Sequence, residues 1–290
     1  MRNILKKTWA VIKYNMGSLL LFEAGYRIAV FFLTMQMVHG AVTFVLKKQN
    51  FSYLTAENYG EFLASPLCIL LFFGILIFLL FFFLVEVSAL LLGFQYSYQR
   101  KKLYASDMLI LGIKQSISFL RHSKISWIFC VALSAPFLTA YFIIREISYI
   151  RVLEFTARQI YKEVTPHILL YAVLGVILVF SFLLVFALPY CILARQRSLG
   201  GIWAGIRLLR KQWKKVLAGF FVLHLVMLGF IFVMYLLAMA FMTGFVAFGT
   251  GKSGAVSKVL IYSGYMEMAL GIFAGGVQLT GSLAFVSVIF

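Results

Sequence analysis

Five ionisable side chains fall inside long apolar runs of the chain: Glu23, Arg27, Glu86, His224 and Glu267. Lipid makes such groups expensive, so each needs a partner, a polar cavity or a neutral form. Glu23 and Arg27 stand four residues apart with the acid first, the favourable order for an ion pair on one helix face. Arg27 and Glu86 each lie roughly 15 Å from the same membrane face at a helical rise of 1.5 Å per residue, so a hairpin brings them within reach. His224 lies about 12 Å in, and Glu267 falls near the middle of the last run. One reading is a structural ion pair that fixes hairpin packing. The other is a polar cavity that admits a lipid headgroup or a cation. Three acids against one arginine favour the second slightly, although a proton neutralises a buried carboxylate equally well.

No other chemistry converges. Of the remaining histidines, His39 has no acidic neighbour in sequence, His122 and His167 sit at span edges where an interfacial ring is ordinary, and no HExxH, HxE or His/Cys cluster occurs, so no metal site is expected. Cys68, Cys130 and Cys191 are an odd set without a CxxC pair and read as small buried hydrophobes. There is no GxSxG, no P-loop and no kinase motif set. The chain itself is expected to carry no catalytic residue and no cofactor.

These residues must be positioned by membrane helices. Hydrophobic residues make up 63% of the chain and charged ones 12%, far from a soluble domain's balance. The apolar residues gather in runs long enough to cross a bilayer. Six spans are expected: about Gly17–Leu46, Pro66–Tyr96, Ile125–Ile144, Pro166–Leu193, Val216–Phe248 and Lys258–Phe290. The net charge of +17 suggests nucleic acid only until its placement is considered. Of the 26 Lys and Arg residues, 17 lie in the N-terminus and the stretches 97–124 and 194–215. That bias places the N-terminus in the cytoplasm of a multi-pass cell-membrane protein. With no helix-turn-helix, zinc finger or RNP pattern, nucleic acid is excluded. The first apolar run carries Glu23 and Arg27 and has no A-x-A site after it, so it is not a cleavable signal peptide.

The fold class expected is all-α: three hairpins, each introduced by a basic amphipathic helix in the headgroup plane. The hairpin units are 1–103, 104–197 and 198–290 of one integral membrane domain. In the first helix Leu5, Trp9, Ile12 and Met16 share a face, opposite Arg2, Lys6 and Lys13. In the second, Leu109, Ile113, Ile117 and Leu120 do so, beside Lys114 and Arg121. In the third, Ile202, Ile206, Leu209 and Trp213 oppose Arg207, Arg210, Lys211 and Lys214. Such stripes put apolar faces into the bilayer and basic ones toward anionic lipid, the expected partner. All units start from the same side, unlike the inverted repeats of many transporters. Gly271 and Gly275 form a GxxxG suited to close helix packing. Pro136 and Pro189 are expected to kink their spans. An outer segment, Tyr149–Glu163, can form a further surface helix.

The stretch Phe51–Leu92, FSYLTAENYGEFLASPLCILLFFGILIFLLFFFLVEVSALLL, resembles the membrane domain that precedes the catalytic domain in bacterial glycerophosphodiester phosphodiesterases. Tyr53, Leu54, Thr55, Asn58, Pro66 and Glu86 carry the resemblance. Independently of it, Thr55 can cap a short helix, Ala56–Ala64, before Pro66 restarts the chain. The resemblance implies a membrane anchor that can present substrate to an enzyme of glycerolipid or glycerol-phosphate polymer metabolism. That family's catalytic barrel carries a His-Arg-Gly, a Glu-x-Asp pair and a second His, none of which occurs here. The apolar run Ser282–Phe290 has no polar anchor after it. A catalytic domain beyond Phe290 is therefore expected as the partner. The alternative is a stand-alone transporter or lipid-handling protein that uses the buried Glu and Arg residues.

Overall fold

The structure, a computed structural model, describes residues 2–51, 59–122, 185–194, 198–249 and 255–290. The described residues contain helices and no strand. These are α1 (Arg2–Tyr14), α2 (Met16–Lys48), α3 (Tyr59–Ala64), α4 (Pro66–Tyr98), α5 (Ala105–His122), a helical stretch at 185–192, α6 (Ser198–Gly249) and α7 (Ala255–Ile289). Four candidate membrane spans follow from length and apolarity: Met16–Lys48, Pro66–Tyr98, Trp213–Phe241 and Ala269–Ile289. The expected third span, most of the fourth, Pro136 and the outer segment 149–163 lie outside the described residues. So does Thr55; of the short helix expected after it, the structure describes Tyr59–Ala64 as α3.

Helix ends follow local chemistry. Pro66 opens α4, where its missing N–H costs nothing. At the end of α2 the Phe51 N–H reaches the Leu46 carbonyl at 3.0 Å, and Asn50 sits at φ 58°. At the end of α4 the Lys101 N–H reaches the Tyr96 carbonyl at 2.9 Å, the Arg100 N–H reaches Ser97 at 3.0 Å, and Arg100 sits at φ 55°. Both are Schellman closures, which satisfy carbonyls left over at a helix end. Asn is a usual residue in the left-handed position and Arg is not.

The chain divides into two units. One comprises Met1–Leu33, Ala89–Gly112 and Lys211–Phe290; the other comprises Thr34–Ser88 and Ile113–Arg210. In the first unit, α1 packs against α7. The turn at Asn15 between α1 and α2 is fastened to the end of α4. Asn15 Nδ2 donates to Ser97 Oγ at 2.9 Å and to the Lys101 carbonyl at 3.1 Å, and Tyr14 Oη donates to the Arg100 carbonyl at 2.5 Å. Gly93 of α4 lets Met108 of α5 and Leu19 of α2 approach closely. In the second unit, Ser116 of α5 donates to Ser88 Oγ of α4 at 3.1 Å. Gln115 donates to the Ile192 carbonyl. Gly201 and Gly205 of α6 press onto the 185–192 stretch, against Cys191 and against the Phe186–Ala187 backbone.

One sequence expectation changes here. The basic helix expected before the fifth span is not a separate element. It runs unbroken into the span as the first part of α6, whose 52 residues extend about 78 Å. The packed faces of the basic helices carry small and hydrogen-bonding residues. In α1 the buried residues are Thr8 and Val11, followed by Asn15 in the turn, while Trp9 is 59% exposed. In α5 they are Met108, Gly112, Ser116 and Phe119, while Leu109, Ile113 and Ile117 face outward. In the first part of α6 they are Gly201, Gly205 and Leu209, while Trp203 and Trp213 face outward. Lipid tails are as apolar as leucine, so large apolar side chains gain little by packing between helices. Small and hydrogen-bonding residues gain from close approach.

A Cβ at Gly205 would lie 3.1 Å from the Ala187 nitrogen and the Phe186 carbonyl carbon, both backbone atoms that cannot swing aside. Gly205→Ala should therefore lower the thermal midpoint in detergent, by an overpacking cost of about 1–3 kcal/mol. Gly229→Ala, in open space on the same helix, should leave the midpoint unchanged or raise it, because alanine is the better helix former.

Candidate intramembrane polar site

The helical period of α2 puts Glu23 and Arg27 one turn apart on one face. Arg27 Nε donates to Glu23 Oε1 at 2.7 Å. Phe22 and Tyr26 flank the pair and stack with ring centroids 5.2 Å apart. The pair lies across the backbone of α7 at two consecutive glycines. A Cβ at Gly276 would sit 3.2 Å from Glu23 Cγ and Oε1 and 3.3 Å from Arg27 Nε. One at Gly275 would sit 3.0 Å from Arg27 Nη1. Gly275 and Gly276 thus make room for charged side chains, a role the GxxxG spacing with Gly271 does not reveal. Glu23 is 8% exposed, and its Oε2 has no hydrogen-bond partner among the described residues. The pair therefore gives Glu23 a countercharge and leaves one carboxylate oxygen able to accept a hydrogen bond.

His224 lies on α6 against α7. Its Nδ1 is 2.9 Å from the Phe220 carbonyl, which only accepts, so Nδ1 carries a proton. Its Nε2 is 3.1 Å from Ser282 Oγ, which is itself 2.7 Å from the Gln278 carbonyl. The Ser282 hydroxyl thus lies between the His224 ring and the backbone of its own helix. The Phe220 ring lies tilted against the imidazole with centroids 4.0 Å apart, Phe285 fits beside Gly219, and Met227 presses onto Gly281. Ser282 and Gln278 escaped the sequence reading because an isolated serine in an apolar run carries no spacing signal.

Two parts of the expected cluster lie in the first unit. Glu23 and Arg27 are joined, and His224 sits in its own hydrogen-bonded set on α6 and α7. Glu86 is buried in α4 and belongs to the other unit. Glu267 lies on α7 with its side chain outside the described residues. Pro66 is exposed at the start of α4, and Tyr53 and Asn58, like Thr55, are outside the described residues. Among the described residues, no group of three or more His, Cys, Asp or Glu is gathered as metal ligands would be.

Removing one partner of a buried pair leaves the other uncompensated. Glu23→Ala and Arg27→Ala should each lower the unfolding midpoint. The double variant should lose less than the sum, with a coupling of about 1 kcal/mol or more. Additive losses in a denaturation cycle would show that the 2.7 Å contact contributes nothing.

No curated protein and no solved structure matches the chain. A family described as the membrane domain of glycerophosphoryl diester phosphodiesterase matches residues 5–289. With its apolar helices and buried ion pair in place, the chain belongs to that family of membrane domains.

Proposed function

We propose that the chain anchors the catalytic domain of a glycerophosphodiester phosphodiesterase to the cell membrane and presents membrane-derived substrate to it. The match over residues 5–289 carries this reading, because it takes in nearly the whole chain rather than one apolar run. The absence of the family's catalytic motifs from this sequence supports a division of labour. Hydrolysis belongs to a partner domain, and these helices hold it at the bilayer. The arrangement that suits this role has six spans in three hairpins, basic stretches facing the cytoplasm and the N-terminus on that side. The distribution of Lys and Arg supports that orientation.

A second reading, lipid handling or transport by the chain alone, is favoured by one observation: the buried Glu23 paired with the half-buried Arg27 on α2. In that case the acids inside the spans are binding groups.

Membranes from cells expressing the intact gene should hydrolyse glycerophosphodiesters, and the activity should sediment with the membrane. No hydrolysis from a folded product would contradict the anchoring role. Glu86→Gln separates the two readings further. An anchor should keep its folded yield and show no change in lipid or ion binding. A binding cavity should keep its yield and lose affinity.

A further inference from the structure

We propose that Lys13, Arg100, Lys101 and Lys102 form a site for the phosphate headgroup of an anionic phospholipid. The inference stands apart from the phosphodiesterase reading and rests on four observations.

The first is position. Asn15 precedes the first residue of the span Met16–Lys48, and Ser97 lies in the last turn of the span Pro66–Tyr98. Their side chains are bonded at 2.9 Å, so these two span ends meet at one membrane face. Lys13 and residues 100–102 stand just beyond them, at headgroup level.

The second is fixation. Tyr14 Oη donates to the Arg100 carbonyl, and Asn15 Nδ2 donates to the Lys101 carbonyl at 3.1 Å. The backbone beneath the basic side chains is thus tied down from α1, which gives the cluster a set place rather than the freedom of a loop.

The third is strain. Arg100 occupies the left-handed position at φ 55° that ends α4. Glycine takes that place at least cost, and an L side chain is strained in it. Arginine there gives up backbone ease and sets an exposed guanidinium on the tied backbone. That planar fork matches phosphate with two parallel hydrogen bonds. A backbone outlier is a reason to look for a role of this kind.

The fourth is unmet charge. All four basic side chains are exposed, and among the described residues none forms an ion pair. Tyr98 and Tyr104, 67% and 72% exposed, flank the cluster as aromatic residues do at a membrane interface. Four cations with no acid among them, at the ends of two spans, fit an anionic headgroup by charge and by depth.

The test uses the full chain in nanodiscs of phosphatidylcholine with rising fractions of phosphatidylglycerol. Retained lipid is counted by native mass spectrometry, and the thermal midpoint is measured alongside. The intact protein should retain phosphatidylglycerol in preference to phosphatidylcholine. Arg100→Gly should weaken that preference about five-fold, the effect of one basic residue at an anionic surface. The same variant should keep or raise the thermal midpoint, because glycine relieves the left-handed residue. A purely structural arginine would not separate these two readouts. The Lys101→Gln/Lys102→Gln variant leaves Arg100 in place and should weaken the preference more strongly, about 25-fold for two charges. It keeps the proposal open to refutation should Arg100→Gly not fold. Lys47→Gln/Lys48→Gln removes two charges at the other end of α2 and should change nothing. Unchanged lipid retention in the Lys101/Lys102 variant would overturn the proposal, as would an equal loss in the Lys47/Lys48 variant. Displacement of the bound lipid by an equal concentration of inorganic phosphate would also overturn it, since the site would then be one for soluble phosphate.

Discussion

Hydrocarbon offers a helix no hydrogen-bond partner and no hydrophobic reward for meeting another helix. The first constraint makes every span an unbroken helix. The second leaves close backbone approach and side-chain hydrogen bonds to decide which helices touch. The contacts in this protein obey both. Glycines at 93, 201, 205, 219, 275, 276 and 281 receive side chains or backbone from neighbouring helices. The hydroxyls and amides of Asn15, Ser97, Ser88, Ser116 and Ser282 are used between helices. Large apolar side chains, such as Leu225, Phe232 and Phe241 of α6, are left outward, where lipid receives them.

The same relation between elements recurs. A basic helix packs on an apolar one: α5 on α4, the start of α6 on residues 185–192, and α1 on α7. The sequence shows the basic helices and where they fall, because charge clusters between apolar runs are hard to miss. It does not show their packed faces. The apolar stripes, with Trp9, Ile113 and Trp203, face outward, and the small and polar residues that pack between helices form no apolar stripe to read. The unbroken junction at the start of α6 was hidden for a related reason. Lys211, Lys214 and Lys215 read as an interfacial boundary, yet long basic side chains are good helix formers and do not interrupt a helix.

The polar site was legible in part. The four-residue spacing of Glu23 and Arg27 is a helix-face signal, and the two side chains meet. What that spacing cannot tell is which helix tolerates them. Consecutive glycines at 275 and 276 answer that, and their meaning appears only once α7 lies against α2. The turn at Asn15 shows the same limit. An asparagine between a basic helix and a span reads as a simple break, and its two bonds to the end of α4 link residues more than eighty positions apart. These contacts make the chain a built membrane domain rather than a set of apolar anchors, which fits a family that shares the domain over its whole length.

The proposed topology has α2 and α4 crossing the bilayer in opposite directions, with the Asn15–Ser97 contact on the cytoplasmic face and the far end of α2 outside. Single cysteines at Lys13, Lys102 and Lys48, in a chain freed of Cys68, Cys130 and Cys191, test it with a membrane-impermeant maleimide on intact cells. The account predicts that Lys48→Cys is labelled from outside, while Lys13→Cys and Lys102→Cys react only after the membrane is opened. Labelling of Lys13→Cys and Lys48→Cys from the same side would contradict it.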